Sequence, residues 1–299
     1  MNLITRLLNR ITGGSDDEQS AAETPADEDS GQPNGSERRP ADPPTEPMGA
    51  SPVADGTVTM QSHGSHWDTV LPDDGTGTNI DDLVFQTVKE GEPVEGVTHE
   101  DQNVTGYIGD GEEVKPMVVT LDSQVATAYP RIEGVTHEFS ATQLNEWNIG
   151  IEAWIGGDLG PAGVTAFATN YFEHPPEHFG GDCSVSLALS AYDFGESDYD
   201  TIVGEDGEEL DVSDFVGFRP WERGAPDDYV VRTKVKETTR VEHGPIQGYL
   251  LRVPLFRPEG EAGPEFDVNL FVADHVAGEY EPNVGDSVEG ACWLQAEFN

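Results

Sequence analysis

Hydrophobic and polar positions along the chain follow two different periods, and the change between them divides it. Over the first residues Leu3, Ile4, Leu7, Leu8 and Ile11 recur at three- and four-residue spacing, with Arg6 and Arg10 among the polar positions between them. This spacing predicts one apolar face of a short amphipathic helix over 1–13, stopped by Gly13-Gly14. From 14 to 56 the periodicity vanishes into Asp, Glu, Pro, Ser and Gly, with no aromatic residue. Such a stretch buries too little apolar surface to offset its ordering entropy, so it reads as a disordered acidic linker.

From residue 57 the period becomes two. Ile149, Ile151, Ala153 and Ile155 form one alternating run and Val164, Ala166 and Ala168 a second. Val185, Leu187, Leu189 and Ala191 form a third, Tyr249, Leu251, Val253 and Leu255 a fourth, and Val268, Leu270 and Val272 a fifth. Each fits a half-buried strand between turns rich in Gly, Pro, Asn and Asp. Helical signals are short: Asp81 to Glu90, and the stretches after Thr169 and Val272. The fold class is therefore all-β, or β-rich with short helices.

Two repetitions refine the organisation. Glu-Gly-Val-Thr-His-Glu occurs at Glu95 to Glu100 and again at Glu133 to Glu138, placing His99 and His137 in equivalent positions. If the copies pair across a sheet, these histidines face each other. Otherwise His137 is a half-buried strand residue satisfied by a backbone carbonyl. Phe167–Phe194 also aligns with Phe271–Phe298 without a gap, matching Phe167 with Phe271, Glu177 with Glu281, Gly181-Asp182 with Gly285-Asp286, and Phe194 with Phe298. Both halves then read as strands, a hairpin, a strand ending in Phe, a short helical link, a Gly-Asp turn and a closing strand.

That order predicts two small OB-like barrels, 132–225 and 226–299, after a β-rich part at 57–131. The ending Val284 to Gln295 resembles the last strands of such barrels. Phe-Ala-Thr-Asn-Tyr-Phe (167–172) and Cys-Trp-Leu-Gln (292–295) resemble acidic, halophile-type prokaryotic proteins. The resemblance covers the chain from about Ile132 onward and implies no catalytic residue or ligand.

Charge changes the picture next. Asp and Glu number 58 against 15 Lys and Arg, a net charge of −43. At molar salt, where the Debye length falls to about 3 Å, that self-repulsion is largely screened, so the acidity reads as adaptation to salt and not as a partner signal. Cys183 and Cys292 are the only cysteines, which points to a reducing compartment with both as small core residues. With no apolar run long enough to span a bilayer, a cytoplasmic protein is expected, peripheral to a membrane if residues 1–13 dock there.

Candidate chemistry is sparse. His174, His178 and Cys183 are a weak zinc-type set, because Pro175-Pro176 forbids the regular helix that would align the two histidines. His63 and His66, with Asp68, form a second histidine cluster in a Gly-Ser stretch, read as ordinary loop residues. Arg232, Lys234 and Lys236 alternate onto one strand face, either a nucleic-acid face or a solvated edge that resists aggregation. No phosphate-cradling glycine loop or nucleophile elbow is present, and no cofactor is expected. The leading expectation is a non-enzymatic binding or scaffold module held by residues 1–13 on a membrane surface or partner protein. The alternatives are an OB-type single-stranded nucleic-acid binder and a small zinc-dependent hydrolase.

Overall fold

The computed structural model describes residues 63–72, 78–197, 201–203, 209–257 and 265–299. The expected helix at 1–13 and linker at 14–56 lie outside the described residues. Among the described residues no helix is long and apolar enough to cross a membrane.

The N-terminal part is a 3-10 turn at Trp67–Thr69, helix α1 (Thr78–Glu90) and an antiparallel sheet in the order β1 (Glu92–Glu95), β2 (Val104–Ile108), β3 (Val114–Leu121), β4 (Gln124–Ile132). Helix α1 carries Asp81 in its first turn and Lys89 in its last, complementing the helix dipole. Ile80, Leu83, Val84 and Val88 give it an apolar face, which joins the cluster over the sheet. At its end the Gly91 amide bonds Thr87 O, where a Cβ would stand 2.4 Å from that carbonyl, so glycine alone fits the turn into β1.

The remaining strands are β5 (Val135–Glu146), β6 (Ala153–Leu159), β7 (Ala162–Ala168), β8 (Gly181–Glu196), β9 (Thr201–Val203), β10 (Glu209–Asp211), β11 (Gly217–Pro220), β12 (Asp228–Lys234), β13 (Glu237–His243), β14 (Ile246–Phe256), β15 (Phe266–Ala273) and β16 (Ser287–Phe298). Strands β5, β6, β7, β16 and β8 pair in that order, and β8 pairs back to β5, closing a five-stranded barrel. All these pairings are antiparallel except β7 with β16.

A second circuit shares two of these strands. β12 pairs with β16 and β13 with β14, and the two residues between them carry the chain from one partner to the other: Val235 N bonds Asp286 O, and Lys236 N bonds Arg252 O. β12 and β13 are thus two halves of one bent strand, as the single long β5 is in the first barrel. β14 pairs with β15, β15 runs parallel to β8, and β8 pairs with β16. By chain order the first circuit, β5-β6-β7-β16-β8, reads 1-2-3-5-4, whereas the second, β12/β13-β14-β15-β8-β16, reads 2-3-4-1-5 because β8 precedes β12. What the two share is a pattern of roles: three successive strands of one half, then the last strand of the other half, then their own last strand.

This places the repeated segments in equivalent roles. β7, two 3-10 turns (Tyr171–Glu173, Pro176–Phe179) and β8 correspond to β15, helix α2 (Asp274–Ala277) and β16. The matched Gly181 and Gly285 both have positive φ, 75° and 98°, in front of the shared strands. The circuits are not two consecutive units, however. Each is completed by a strand from the other half, which removes an edge that a separate barrel would have to close by itself.

Two further expectations change. The run from Ile149 is not all strand: β6 begins at Ala153, while Gly150 (φ 70°) turns the chain against the His99 ring and Ile151 packs under the N-terminal sheet. The repeated hexapeptides do not pair either. The first follows β1 and the second leads into β5, where His137 Nε2 lies 2.6 Å from Asp267 O, the carbonyl-satisfied arrangement.

The circuits enclose an apolar interior that includes Val185, Leu187, Leu189, Leu251, Val253, Leu270 and Leu294. Outside it, the N-terminal sheet lies across the shared β8–β16 pair. Met117, Val119 and Tyr129 meet Phe167 and Trp293 on one side, and Val118, Ala128 and Trp67 meet Ala188 and Phe271 on the other.

Candidate functional site: a buried histidine relay

Residues 63–71 form a strap between these layers. Trp67, Val70 and Leu71 fill its apolar positions, Trp67 Nε1 donates to Ala128 O at 3.1 Å, and Ser190 Oγ donates to Thr69 Oγ1 at 2.7 Å. At its head, His63 is 2% exposed and Asp227, just before β12, is 0% exposed. A polar pair so placed must find internal partners, because unpaired burial costs several kcal/mol.

His63 Nε2 is in ion-pair contact with Asp227 Oδ2 at 2.9 Å, and the same oxygen accepts Trp293 Nε1–H at 2.8 Å. The His63 amide donates to Glu152 Oε2 at 2.8 Å, and Glu152 Oε1 also accepts the Thr127 hydroxyl. On the other side of the ring, His63 Nδ1 faces Gly64 O at 2.8 Å and His66 Nε2 at 3.2 Å. His66 Nδ1 is 2.5 Å from Tyr192 Oη, and Tyr192 donates to Asp228 Oδ1 at 2.8 Å. Asp228 Oδ2 accepts the Ala225 amide.

The result is a continuous chain, Asp227–His63–His66–Tyr192–Asp228, whose two ends are adjacent residues. One proton assignment gives each contact a donor: a doubly protonated His63 and a neutral His66 that donates from Nδ1 to Tyr192. Aromatic rings wall the chain. His63 lies 4.6 Å from the Phe167 centroid and edge-on to Trp147 at 5.2 Å, and His66 stacks on Trp293 at 4.3 Å.

Local backbone devices aim these side chains. His66 adopts φ 51°, a left-handed conformation in which histidine is among the better tolerated side chains. Tyr192 is the extra residue of a β-bulge: its neighbours Ala191 and Asp193 pair with the consecutive Cys292 and Ala291, which turns the tyrosine toward His66.

The electrostatics agree with that proton assignment. Burial pulls the His63 pKa down, but Asp227, together with Glu152 and the Gly64 carbonyl, raises it. Burial pushes Asp227 up, but His63, together with His66 and the Trp293 indole, holds it low. His66 falls to about 3 through burial and the neighbouring His63. Asp228 rises to about 6, chiefly through burial, and burial also raises Glu152. The ion pair and the chain of polar contacts lock the strap to β8 and to the loop before β12.

No family model, curated protein or solved structure matches the chain. The relay itself must therefore carry the functional reading.

The residues singled out in the sequence fare differently. Arg232 is 7% exposed, Lys234 pairs with Asp214 at 3.0 Å, and Lys236 binds both Glu265 and Asp267. Their strand is therefore not a bare cationic face: acids meet both lysines, and the arginine is buried. His174, just after the Tyr171–Glu173 turn, stacks at 4.0 Å on His178 of the Pro176–Phe179 turn, while Cys183 is half-buried in β8 opposite Phe139. Among the described residues no group of three or more His, Cys, Asp or Glu is arranged to hold a metal ion, so these three do not assemble the zinc-type set. Cys292 is buried, which raises its thiol pKa. Leu3, Ile4, Arg6, Leu7, Leu8, Arg10 and Ile11 lie outside the described residues.

His63 and His66 were visible only as loop histidines. What the sequence does hold is the pair of histidines beside Trp67, at the point where the acidic stretch gives way to the fold, and the adjacent Asp227-Asp228. Nothing local links the two.

Proposed function

We propose that the protein is a non-enzymatic binding scaffold, tethered through the amphipathic residues 1–13 to a membrane surface or a partner protein. The observation that carries this reading is the strap. The segment that joins the N-terminal region to the fold is fastened between two sheets by a buried ion pair, a relay and the Trp67 side chain, so that tension on the tail reaches the core of the molecule and not a loose end. A typical reach for a flexible stretch of some forty residues is roughly 35 Å, at ~5–6 Å × √n, which lets the helix dock away from its own fold. The apolar face of Leu3, Ile4, Leu7, Leu8 and Ile11 then buries itself in a lipid interface or a hydrophobic groove, with Arg6 and Arg10 toward anionic headgroups or acids.

The 1-2-3-5-4 order of the first circuit is that of OB-type barrels; we read that circuit as a member of this architecture and the second as its counterpart with β8 and β16 exchanged, the two used here as a rigid body. The acidic surface fits a cytoplasm of molar salt.

The full chain with a C-terminal fluorescent reporter, expressed in a host with molar internal salt, tests the tether. The parent is expected to concentrate at a membrane or a discrete assembly and the Leu7→Asp/Leu8→Asp variant to be diffuse. Identical diffuse signals from both defeat the reading.

A further inference from the structure

Among the described residues, several cations are already matched by acids. Lys89, Arg131, Lys234, Lys236, Arg240 and Arg257 are each ion-paired with a carboxylate. Arg219 and Arg223 are exposed, and their side chains make neither an ion pair nor a hydrogen bond among the described residues. They flank Trp221, which is half-exposed and stands 5.7 Å from the Tyr192 ring at a tilt of 40°. Tyr192 is the bulge residue of β8, so a backbone irregularity that sends one ring to the relay also makes it the neighbour of Trp221.

The ground beside these rings is flat. By register Arg219 lies next to Val230, Val230 next to Ala291, and Ala291 next to Asp193, so that four strands contribute one row, with the small half-buried Val230 and Ala291 at its centre. Three strand spacings of ~4.8 Å make the row roughly 14 Å long, more than one nucleotide covers. Glu222 and Asp193 are exposed acids beside the row, and the exposed Asp68 and the buried Asp228 lie within electrostatic reach of Tyr192, so the rings and the two arginines, not net charge, must carry recognition.

We infer that the Trp221–Tyr192 ring pair, with Arg219 and Arg223 beside it, binds single-stranded nucleic acid, the bases stacking on the rings and the phosphates meeting the arginines. Two rings side by side favour a base-bearing strand over an acidic peptide, which needs the cations alone. Stacking also persists at salt concentrations where phosphate contacts fade. Arg232 and Lys234 continue the same face of β12 from Val230, but Arg232 is buried and Lys234 and Lys236 are held by acids, so they add little exposed charge; the site is independent of the tether.

The test titrates the full chain into fluorescein-labelled oligothymidylate by anisotropy, across a series of molar KCl concentrations, beside duplex DNA and polyglutamate. The parent is expected to bind the single strand in preference to both competitors. Trp221→Ala should weaken binding about five- to hundredfold, while Trp221→Phe, which keeps a ring, retains most of it. Arg219→Ser/Arg223→Ser, at two exposed positions where folding is not at stake, should flatten the salt dependence by about 0.7 in log–log slope per lost phosphate contact. The inference is overturned if the parent leaves the single strand unbound, if duplex or polyglutamate binds equally well, or if both the Trp221→Ala and the double-arginine variants bind like the parent.

Discussion

The interior of the paired barrels and the seam beneath the strap are both buried, yet they are built on opposite terms. Inside the barrels Leu189, Val253, Leu294 and their neighbours are apolar and almost wholly enclosed, and their contribution is area removed from water. In the seam, Asp227, Glu152 and His63 are as deeply buried but ionisable, and each survives only through its partner. The interior tolerates the loss of one contact in proportion to the hole it leaves. The seam is a chain, so loss of one member strands the next. Geometry, not average polarity, decides how much a buried group contributes.

The sharpest way to break this contrast is to remove one end of the chain. Asp227→Ala should cost about 3–5 kcal/mol in denaturant unfolding, because it leaves a buried imidazolium without its counter-charge. The double variant His63→Leu/Asp227→Leu should lose less than the two single losses combined. If the losses simply add, His63 and Asp227 are not coupled and the seam behaves like the interior. Leu294→Ala, at a fully buried barrel position, should cost about 2–5 kcal/mol according to how far the site collapses. Its loss should be the same at every pH.

The seam, unlike the interior, should respond to pH, and its members should pull in opposite directions. His63 has a folded pKa above 6.5, so its contribution is complete below about 6.5 and is lost as pH rises through the folded value. Asp227 is held below 3.8, so its contribution is present above that value and is lost as pH falls through the folded one. Asp228, raised to about 6, favours the fold in its protonated form, a contribution present below about 3.8 and lost as pH rises through about 6. His66, lowered to about 3, does the reverse: the fold loses stability as pH falls from 6.5 toward 3. These last two slopes oppose each other across the same window. Asp228→Asn should therefore tilt the profile, removing about 1–2 kcal/mol of stabilisation at pH 4–5 relative to pH 8. His66→Gln should tilt it the other way. Thermal unfolding at fixed molar salt across pH 4 to 8 reads both slopes, and a variant profile parallel to the parent's would remove the relay from the energetics.

The same contrast explains what could be read in the chain itself. Period-two alternation exposed β7, β8, β14 and β15, because one face of each strand is enclosed by the barrels and the pattern records it residue by residue. The correspondence of Phe167–Phe194 with Phe271–Phe298 was legible because a Gly with positive φ recurs in front of each shared strand. That β8 and β16 are exchanged between the circuits was not legible, since hydrophobic alternation records burial without naming the neighbour. The relay was hidden for a stronger reason. His63 and Asp227 are 164 positions apart, their types are common in loops, and what makes them special is enclosure by Trp293, Phe167 and Trp147, which only the folded chain supplies.

The smallest expected effect tests where the seam ends. Ser190 is fully buried on the outer face of β8, one strand position from the barrel-facing Leu189, and its hydroxyl donates to Thr69 Oγ1 at 2.7 Å. Thr69 in turn donates to His66 O at 2.8 Å, so the strap is fastened to the shared strand within one turn of the relay. Ser190→Ala removes a single neutral hydrogen bond and leaves Thr69 with its other partner, so no buried donor is orphaned. The loss should be about 1 kcal/mol and independent of pH, unlike that of His66→Gln. Amide hydrogen exchange should nevertheless change locally. Weakening this fastening lowers the cost of lifting residues 63–71, so the strap amides should exchange faster while those of β8 and β16 keep their protection. If the strap and the barrel strands lose protection together, the seam opens only with the whole molecule, and the two regions are one cooperative unit.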